Sequence, residues 1–149
     1  MKSGSKPLKL LFTLFLISSI CFFNLVEAQN NDVKSIKKIL LHQRDEWNKG
    51  DVEGFMKGYW ESDSLLFIGK NISKGYQKTI ANYKKNYPNT VAMGKLDFEF
   101  EEFRKLSSEY YFVVGKWYLK RSIGNLGGSW TLLFRKINNQ WIIVVDHSS

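Results

Sequence analysis

The sequence predicts an α+β domain in which three N-terminal helices pack on a curved, mainly antiparallel sheet. Three observations support this prediction. Apolar residues recur at helical spacing up to about residue 87, they alternate with polar residues from residue 96 onward, and 149 residues suffice for one domain. Helices that precede the strands favour a sheet with one covered face. The 11 Phe, 7 Tyr and 5 Trp supply ample apolar area for a core or a pocket wall.

The first 28 residues have the pattern of a signal peptide. Lys2, Lys6 and Lys9 precede an apolar run over residues 10–23. This run is shorter than the ~20 residues that a helix needs to cross a bilayer. Val26 and Ala28 stand where a signal peptidase requires small residues. We therefore expect cleavage after Ala28, which leaves residues 29–149 as the domain.

Two alternatives remain for this segment. One is a retained membrane anchor, and the other is a lipoprotein acylated at Cys21, although the preceding Ile20 is bulkier than that chemistry prefers. With cleavage after Ala28, the domain is expected in the periplasm or outside the cell, with no integral membrane segment and no cysteine.

The charge pattern does not indicate a nucleic-acid partner. The formal net charge is +8, and removal of the signal peptide, with its three lysines and one glutamate, lowers it to +6. The basic residues are scattered along the chain, and the densest group, Lys34, Lys37 and Lys38, is typical of a solvated helix face.

No pattern typical of a metal or cofactor site is present in the sequence. The histidines, His42 and His147, lie far apart, and the single Cys21 cannot form a thiolate zinc site. The glycine-rich segment 124–128 joins two predicted strands and precedes no helix, so it indicates a turn and not a phosphate loop. We predict neither a metal nor an organic cofactor.

Apolar spacing and capping residues predict the helices. The predicted ranges are 32–49, 51–60 and 76–87. Asn31 or Asp32 can cap the start of the first helix, and Gly50 can end it. Asp51 can cap the second helix, and Pro88 prevents further extension of the third.

The second half of the chain predicts an antiparallel meander. A short strand at 64–68 precedes the third helix, and four more strands follow it in sequence. Their predicted ranges are 96–101, 110–119, 129–137 and 140–147. Asn138 and Asn139 tolerate positive φ angles, so they indicate a tight turn between the last two strands.

Several short motifs together resemble a known family. In chain order they are WNKGD at 47–51, the segment 59–67, Gly75, YP at 87–88, Gly94, GKW at 115–117, WTLLFRK at 130–136, Trp141 and DHSS at 146–149. Their order is similar to that of the SnoaL-like, DUF4440 branch of the NTF2-like superfamily, over essentially all of residues 29–149. The resemblance implies a cone formed by a bent sheet around helices, with an apolar pocket open at one end, and commonly a homodimer.

The resemblance implies no single activity. Members range from steroid isomerases, polyketide cyclases and dehydratases to binding or assembly domains without catalysis. In the isomerases, a tyrosine of the first helix and an aspartate of the first strand perform the chemistry. The matching stretches here, residues 42–45 and 65–69, contain no tyrosine and no carboxylate, respectively. A strand of Leu, Phe and Ile offers no general base, so isomerase chemistry is not carried over.

We expect a small apolar or amphipathic ligand in an aromatic pocket. The candidate ligand-binding residues are Trp47, Tyr59, Trp60, Tyr83, Trp117, Trp130 and His147. Tyrosine and tryptophan suit such a pocket because each joins an apolar ring to a polar group. The alternative interpretation of each aromatic residue is ordinary packing in the core.

The ending Asp146-His147-Ser148 contains the residue types of a hydrolytic triad. Adjacent residues of a strand point to opposite faces, which argues against contact between these side chains. On a regular strand His147 lies on the same face as Trp141, Ile143 and Val145, and it would point into the cone if that face is the concave one. The alternative is a histidine that is hydrogen-bonded at the end of the sheet. Asp146 would then be a structural or dimer-surface group. A single bulge would reverse these faces.

Three functions are consistent with the sequence. The first is an exported homodimeric domain that binds a small molecule without catalysis. The second is a lyase, isomerase or cyclase that uses His147 with Tyr59 or Asp63 as acid–base partners. The third is an interaction module with a filled pocket, which binds another envelope component through its outer sheet face, with or without the lysine-rich helix.

Overall fold

The computed structural model describes the backbone of residues 6–149 and the side chains of Glu27 and residues 29–149. Of the predicted signal peptide, residues 1–5 and nearly all side chains lie outside this description. The chain divides into two units, Met1–Lys34 and Ser35–Ser149, and the second contains the sheet. In the described part of the chain, none of the helices combines the length and apolar character that a membrane crossing requires.

Residues 6–149 form four helices, where the sequence predicts three. They are α1 (Lys6–Lys49), α2 (Val52–Met56), α3 (Tyr76–Asn86) and α4 (Thr90–Met93). The predicted start of the first helix near Asp32 is wrong, because residues 8–49 contain neither glycine nor proline to interrupt it. Its end is as predicted. Gly50 has a φ of 88°, and the amides of Gly50 and Asp51 bond back to the carbonyls of Trp47 and Glu46.

The sheet has six strands in the order β2-β1-β6-β5-β4-β3. The strands are β1 (Leu66–Ile68), β2 (Ile72–Lys74), β3 (Lys95–Lys105), β4 (Tyr110–Lys120), β5 (Leu126–Ile137) and β6 (Gln140–Ser148). The meander β3–β6 is antiparallel as predicted, and β1 pairs with β6 in parallel. Asn138 and Asn139 adopt φ angles of 49° and 62° in the predicted turn. The α+β prediction is confirmed.

The core lies between the sheet and the C-terminal part of α1. Ile36 and Leu40 of α1 are fully buried, as are Val113, Phe134 and Ile143 on the facing strands. Apolar side chains on one face of the helix and one face of the sheet drive this contact, since each buried side chain contributes about 1.5–3 kcal/mol. The same face of the sheet continues beyond the core and forms one wall of a pocket.

A bulge in β6 decides which residues reach this pocket. Leu133 pairs with Val145, but the next residue of β5, Phe134, pairs with Ile143, so Val144 is an extra residue on β6. One extra residue exchanges the two faces of the strand after it. Asp146 is therefore buried, and the neighbouring side chains on either side of it in sequence are more exposed.

Candidate functional site

The pocket lies between the helices and the inner face of the sheet and has a volume of about 240 Å³. It is lined by α1, α2, α3, β1 and all four strands of the meander. Nine of its twenty lining residues are aromatic. A mostly apolar cavity with a few polar groups is the usual architecture of a small-molecule site.

Trp47 organises the wall that the helices provide. Its ring meets those of Phe55, Tyr83 and Tyr87 edge to face, with centroid distances of 5.1, 5.9 and 4.8 Å. Its indole Nε1 donates to the carbonyl oxygen of Met93 at 3.1 Å. Edge-to-face pairs and a satisfied indole N–H fix the ring, so this wall is held in place before any ligand arrives.

Trp130 is the centre of the opposite wall, on the sheet. Its ring contacts Phe98 and Phe100 at centroid distances of 5.9 and 6.3 Å and lies over Gly115 of the adjacent strand. A Cβ at Gly115 would come within 2.3 Å of the Trp130 ring and within 2.4 Å of the Glu99 carbonyl oxygen. Only glycine leaves room for the indole there.

The polar end of the pocket is formed by Asp146. Tyr59 donates its hydroxyl to Oδ2 of Asp146 at 2.6 Å, and Ser148 donates its hydroxyl to Oδ1 at 2.7 Å. The carboxyl is 3% exposed. Tyr59 in turn hydrogen-bonds with Tyr83. One carboxyl group and three hydroxyls therefore converge in an otherwise aromatic cavity.

Burial raises the pKa of Asp146 to about 6. The hydrogen bonds from Tyr59 and Ser148 and the charge of His147 act in the opposite direction, but burial has the larger effect. Burial is also the main cause that raises the pKa values of Tyr59 and Tyr83 well above the ordinary value of 10.0. Both tyrosines are thus neutral at physiological pH. Asp146 can hold or release a proton in this range.

Two further polar groups of the lining lack partners. The indole N–H groups of Trp117 and Trp130 are buried and form no hydrogen bond within the described structure. A buried donor without an acceptor costs about 1–3 kcal/mol, so each of these N–H groups can accept a partner from water or from a bound molecule. By contrast, the Nε2 of Gln43 is satisfied, because it donates to the Phe55 carbonyl oxygen at 2.9 Å.

The structure places five of the predicted ligand-binding residues in the pocket lining. They are Trp47, Tyr59, Tyr83, Trp117 and Trp130. Trp60 and Asp63 do not belong to the lining. The backbone turns away from the cavity after Tyr59, where the amide of Trp60 bonds to the Ile143 carbonyl oxygen, and Asp63 is exposed in the following loop.

The prediction that His147 lines the pocket is wrong. The Val144 bulge turns His147 to the outer face of the sheet, where its side chain is exposed, and turns Asp146 inward. His147 therefore does not share the pocket with Tyr59, and Asp63 also lies outside the lining, so the structure gives no support to an acid–base role of His147 with either residue. The expectation that Asp146 lies on the face away from the pocket, as a structural or dimer-surface group, is likewise wrong in its placement. Asp146 is the buried residue of the pocket lining that the sequence reasoning missed.

The described side chains of Asp146, His147 and Ser148 do not form a hydrolytic triad. Ser148 bonds to Asp146 on the inner face, while His147 points to the other face. Among the described residues, no three His, Cys, Asp or Glu side chains lie close enough together to hold a metal ion.

Comparison with solved structures shows the fold relationship. An NTF2-like protein of unknown function from Shewanella oneidensis is 39% identical, with a TM-score of 0.76, and the match covers 79% of this chain and 98% of that one. A ketosteroid isomerase-like protein from Erwinia carotovora is 15% identical, with a TM-score of 0.63, over 80% of this chain and 96% of that one.

A third similar structure is an NTF2-like superfamily protein from Salmonella enterica, with 16% identity and a TM-score of 0.59 over 78% of this chain and 88% of that one. No protein-family model matches the chain, and no curated protein matches it. Placement in the SnoaL-like, DUF4440 branch therefore stays a prediction.

Proposed function

We propose that this chain, which belongs to the NTF2-like superfamily, is an exported domain that binds a small amphipathic molecule in the aromatic pocket. A cavity of ~150 Å³ lined by apolar side chains already accepts benzene. The volume of about 240 Å³ is larger, so it suits a molecule with one ring and a short polar substituent. The aromatic walls supply affinity, and the polar end supplies orientation.

The observation that supports binding most directly is the placement of polar groups in the lining. Asp146 is buried beside two hydroxyl donors, and the indole N–H groups of Trp117 and Trp130 have no acceptor. If this region were only part of the hydrophobic core, apolar side chains would fill it, because buried polar groups without partners destabilise a fold.

The five tryptophans offer a direct test. We expect 2-phenylethanol to shift the indole N–H signals of Trp117 and Trp130 in a nitrogen-15 NMR titration. Trp60 and Trp141 are internal controls, because neither belongs to the pocket lining. Equal shifts at all indoles, or no shift at Trp117 and Trp130, would contradict binding in this pocket.

A second candidate function is acid–base catalysis by Asp146. A buried carboxyl with a pKa of about 6, hydrogen-bonded to Tyr59 inside a pocket, is a typical arrangement for a general acid or base. The name of the Erwinia protein, ketosteroid isomerase-like, makes an isomerase or lyase reaction reasonable to test. The site would then act through Asp146, in place of His147.

A panel of small enones and hydroxy ketones is the appropriate substrate screen. If one is converted, kcat/KM should change with pH around 6, and Asp146→Asn should lower it by about 100-fold or more. Asp63→Asn is the matched control because Asp63 is exposed outside the pocket, and it should leave the rate unchanged. Equal losses in the two variants would exclude Asp146 as the catalytic group.

Export and dimerisation complete the proposal. Full-length protein produced in an exporting host should lose residues 1–28, which a mass measurement detects.

The outer sheet face carries a row of partly exposed apolar residues, which pair across four strands: Phe112, Leu133, Val145 and Leu66. We propose that a second copy covers this row. Leu133→Lys should then convert a dimer to a monomer in light scattering.

A further inference from the structure

The described lining of the pocket contains an acidic residue and no basic residue. Among the described residues that line it, Asp146 is the only carboxyl group, and none is lysine, arginine or histidine. The other polar side chains of the lining are neutral amides, hydroxyls and indoles. Any charge that a ligand brings into this cavity therefore meets a single anionic group and no cationic one.

The carboxyl of Asp146 has neutral partners and unused acceptor capacity. Tyr59 and Ser148 each donate one hydrogen bond, to different oxygens. A carboxylate has about four acceptor positions, so each oxygen can accept a further bond. The groups that face it from the packed elements are the hydroxyls of Tyr59, Tyr83 and Ser148. His147, the neighbouring residue on the strand, lies exposed on the opposite face.

An uncompensated buried carboxylate is expensive for the fold. Buried charges in proteins are normally paired, because the free energy lost on leaving water is otherwise not recovered. A cationic group of the ligand would supply the missing partner in a cavity of low dielectric, where the attraction is strong. The same cavity would repel an anion and would give a neutral molecule no such gain.

The walls of the pocket favour the same charge. Aromatic faces attract ammonium groups, most strongly when water is excluded, and aromatic enclosures are a recurrent means of binding amines. Nine aromatic rings line this cavity, among them Trp47, Trp117 and Trp130.

From these observations we infer that the pocket is selective for organic cations, and that its ligand is an ammonium compound on a small apolar body whose charged nitrogen lies against Asp146. This inference rests on the proposed binding function and names its ligand class. A neutral hydroxyl or carbonyl compound of the same shape binds more weakly, and a carboxylate binds most weakly of all.

A charge series on one skeleton tests the inference with the wild-type protein. The probes are 2-phenylethylamine, which is protonated at pH 7.5, the neutral 2-phenylethanol, and the anion phenylacetate. By calorimetry at pH 7.5 we expect the amine to bind about 10-fold or more tighter than the alcohol, and phenylacetate to bind most weakly. Acidification to pH 5 should weaken the amine by about 10-fold and leave the alcohol unchanged, because Asp146 is then mostly protonated.

Two variants identify the responsible group. Asp146→Asn keeps the shape of the side chain and removes the charge, so amine and alcohol should bind with affinities within about twofold of each other. Asp63→Asn removes an exposed carboxyl outside the pocket and should keep the wild-type preference. Circular dichroism of both variants verifies folding, and the wild-type series decides the question even if a variant does not fold.

The outcomes separate this inference from the function on which it rests. If the alcohol or phenylacetate binds as tightly as the amine while the Trp117 and Trp130 signals shift, the cation preference is overturned and the binding function stands. If none of the three probes shifts these indole signals, the binding function fails and the inference fails with it.

Discussion

Two tyrosine–carboxylate pairs on opposite faces of the same sheet have similar geometry and opposite electrostatics. On the inner face, Tyr59 donates to Asp146 at 2.6 Å; on the outer face, Tyr118 donates to Glu99 at 2.8 Å. The pKa of Asp146 is raised to about 6, whereas the pKa of Glu99 is lowered. A hydrogen bond from a tyrosine lowers the carboxyl pKa in both pairs, so it does not explain the difference.

The surroundings of the two carboxyl groups explain why their pKa values shift in opposite directions. Glu99 is exposed, and after its hydrogen bond from Tyr118 the main influence is the charge of Lys116, which lies 3.5 Å away and also pairs with Glu101. Asp146 is buried, and the cost of removing its charge from water outweighs its two hydrogen bonds. The outer carboxyl is a satisfied surface group, while the inner one is kept at a cost in stability, which is typical of functional sites.

The largest expected effect is on the pH dependence of stability. Because the pKa of Asp146 is higher in the folded chain than the ordinary 3.8, this residue stabilises the fold fully below about pH 3.8, and that contribution is lost as the pH rises through about 6. The loss amounts to about 3 kcal/mol. In Asp146→Asn this part of the pH dependence should vanish, as measured by urea unfolding between pH 4.5 and pH 8.

Glu99→Gln is the matched control on the outer face. It also replaces the carboxyl of a tyrosine–carboxylate pair by an amide, but at an exposed position with a lowered pKa, so the loss of stability between pH 4.5 and pH 8 should persist. An unchanged profile in Asp146→Asn would mean that Asp146 is solvated, and the contrast between the two pairs would disappear.

The next effect compares the two tyrosines. Tyr59→Phe leaves a buried carboxylate without one of its donors, which should cost about 2 kcal/mol at pH 8 and raise the pKa of Asp146 further. Tyr118→Phe removes the equivalent donor from a solvated carboxylate, where water replaces it, so little change is expected. Urea unfolding of both variants measures the difference, and equal losses would contradict the assignment of burial as its cause.

A smaller effect is expected at the other donor to Asp146. Ser148→Ala removes the hydrogen bond to Oδ1, which should cost about 1 kcal/mol at pH 8 and again raise the pKa of the carboxyl. Carbon-13 NMR of the Asp146 carboxyl across pH 4 to 8 would show the displaced midpoint. A midpoint that moves downward would mean that Ser148 does not stabilise the ionised form.

The regular parts of the fold were accessible from the sequence because their periodicity is local. Alternating residues predicted the four-stranded meander, and paired asparagines predicted its last turn. The three-residue strand β2 and the four-residue helix α4 were not predicted, because three or four residues are too few to show a periodic pattern of apolar side chains. The parallel pairing of β1 with β6 joins residues nearly eighty positions apart, which no local pattern encodes.

The pocket was predicted in part for a similar reason. Aromatic residues such as Trp47 and Trp130 can be predicted as pocket walls from their residue type alone. The residues of the polar end can be predicted only if it is known which side chains of β6 point to the inner face. The run from Trp141 to Val145 is uninterrupted in its apolar character, so it contains no alternation from which the extra residue Val144 could be recognised. The choice between Asp146 and His147 therefore required the paired register with β5.

The smallest expected effect tests that register. His147 is exposed on the outer face, where it pairs with Thr131 and Ile68. His147→Gln should therefore change stability by less than about 0.5 kcal/mol and leave the affinity for 2-phenylethylamine unchanged. Calorimetry measures the affinity. A large loss of binding in this variant, with Asp146→Asn unaffected, would mean that β6 has no bulge in solution and that the inner carboxyl belongs to the outer face. Because His147 and Asp146 are neighbours on one strand, no single register can bring both into the pocket, and the two variants together determine which one it holds.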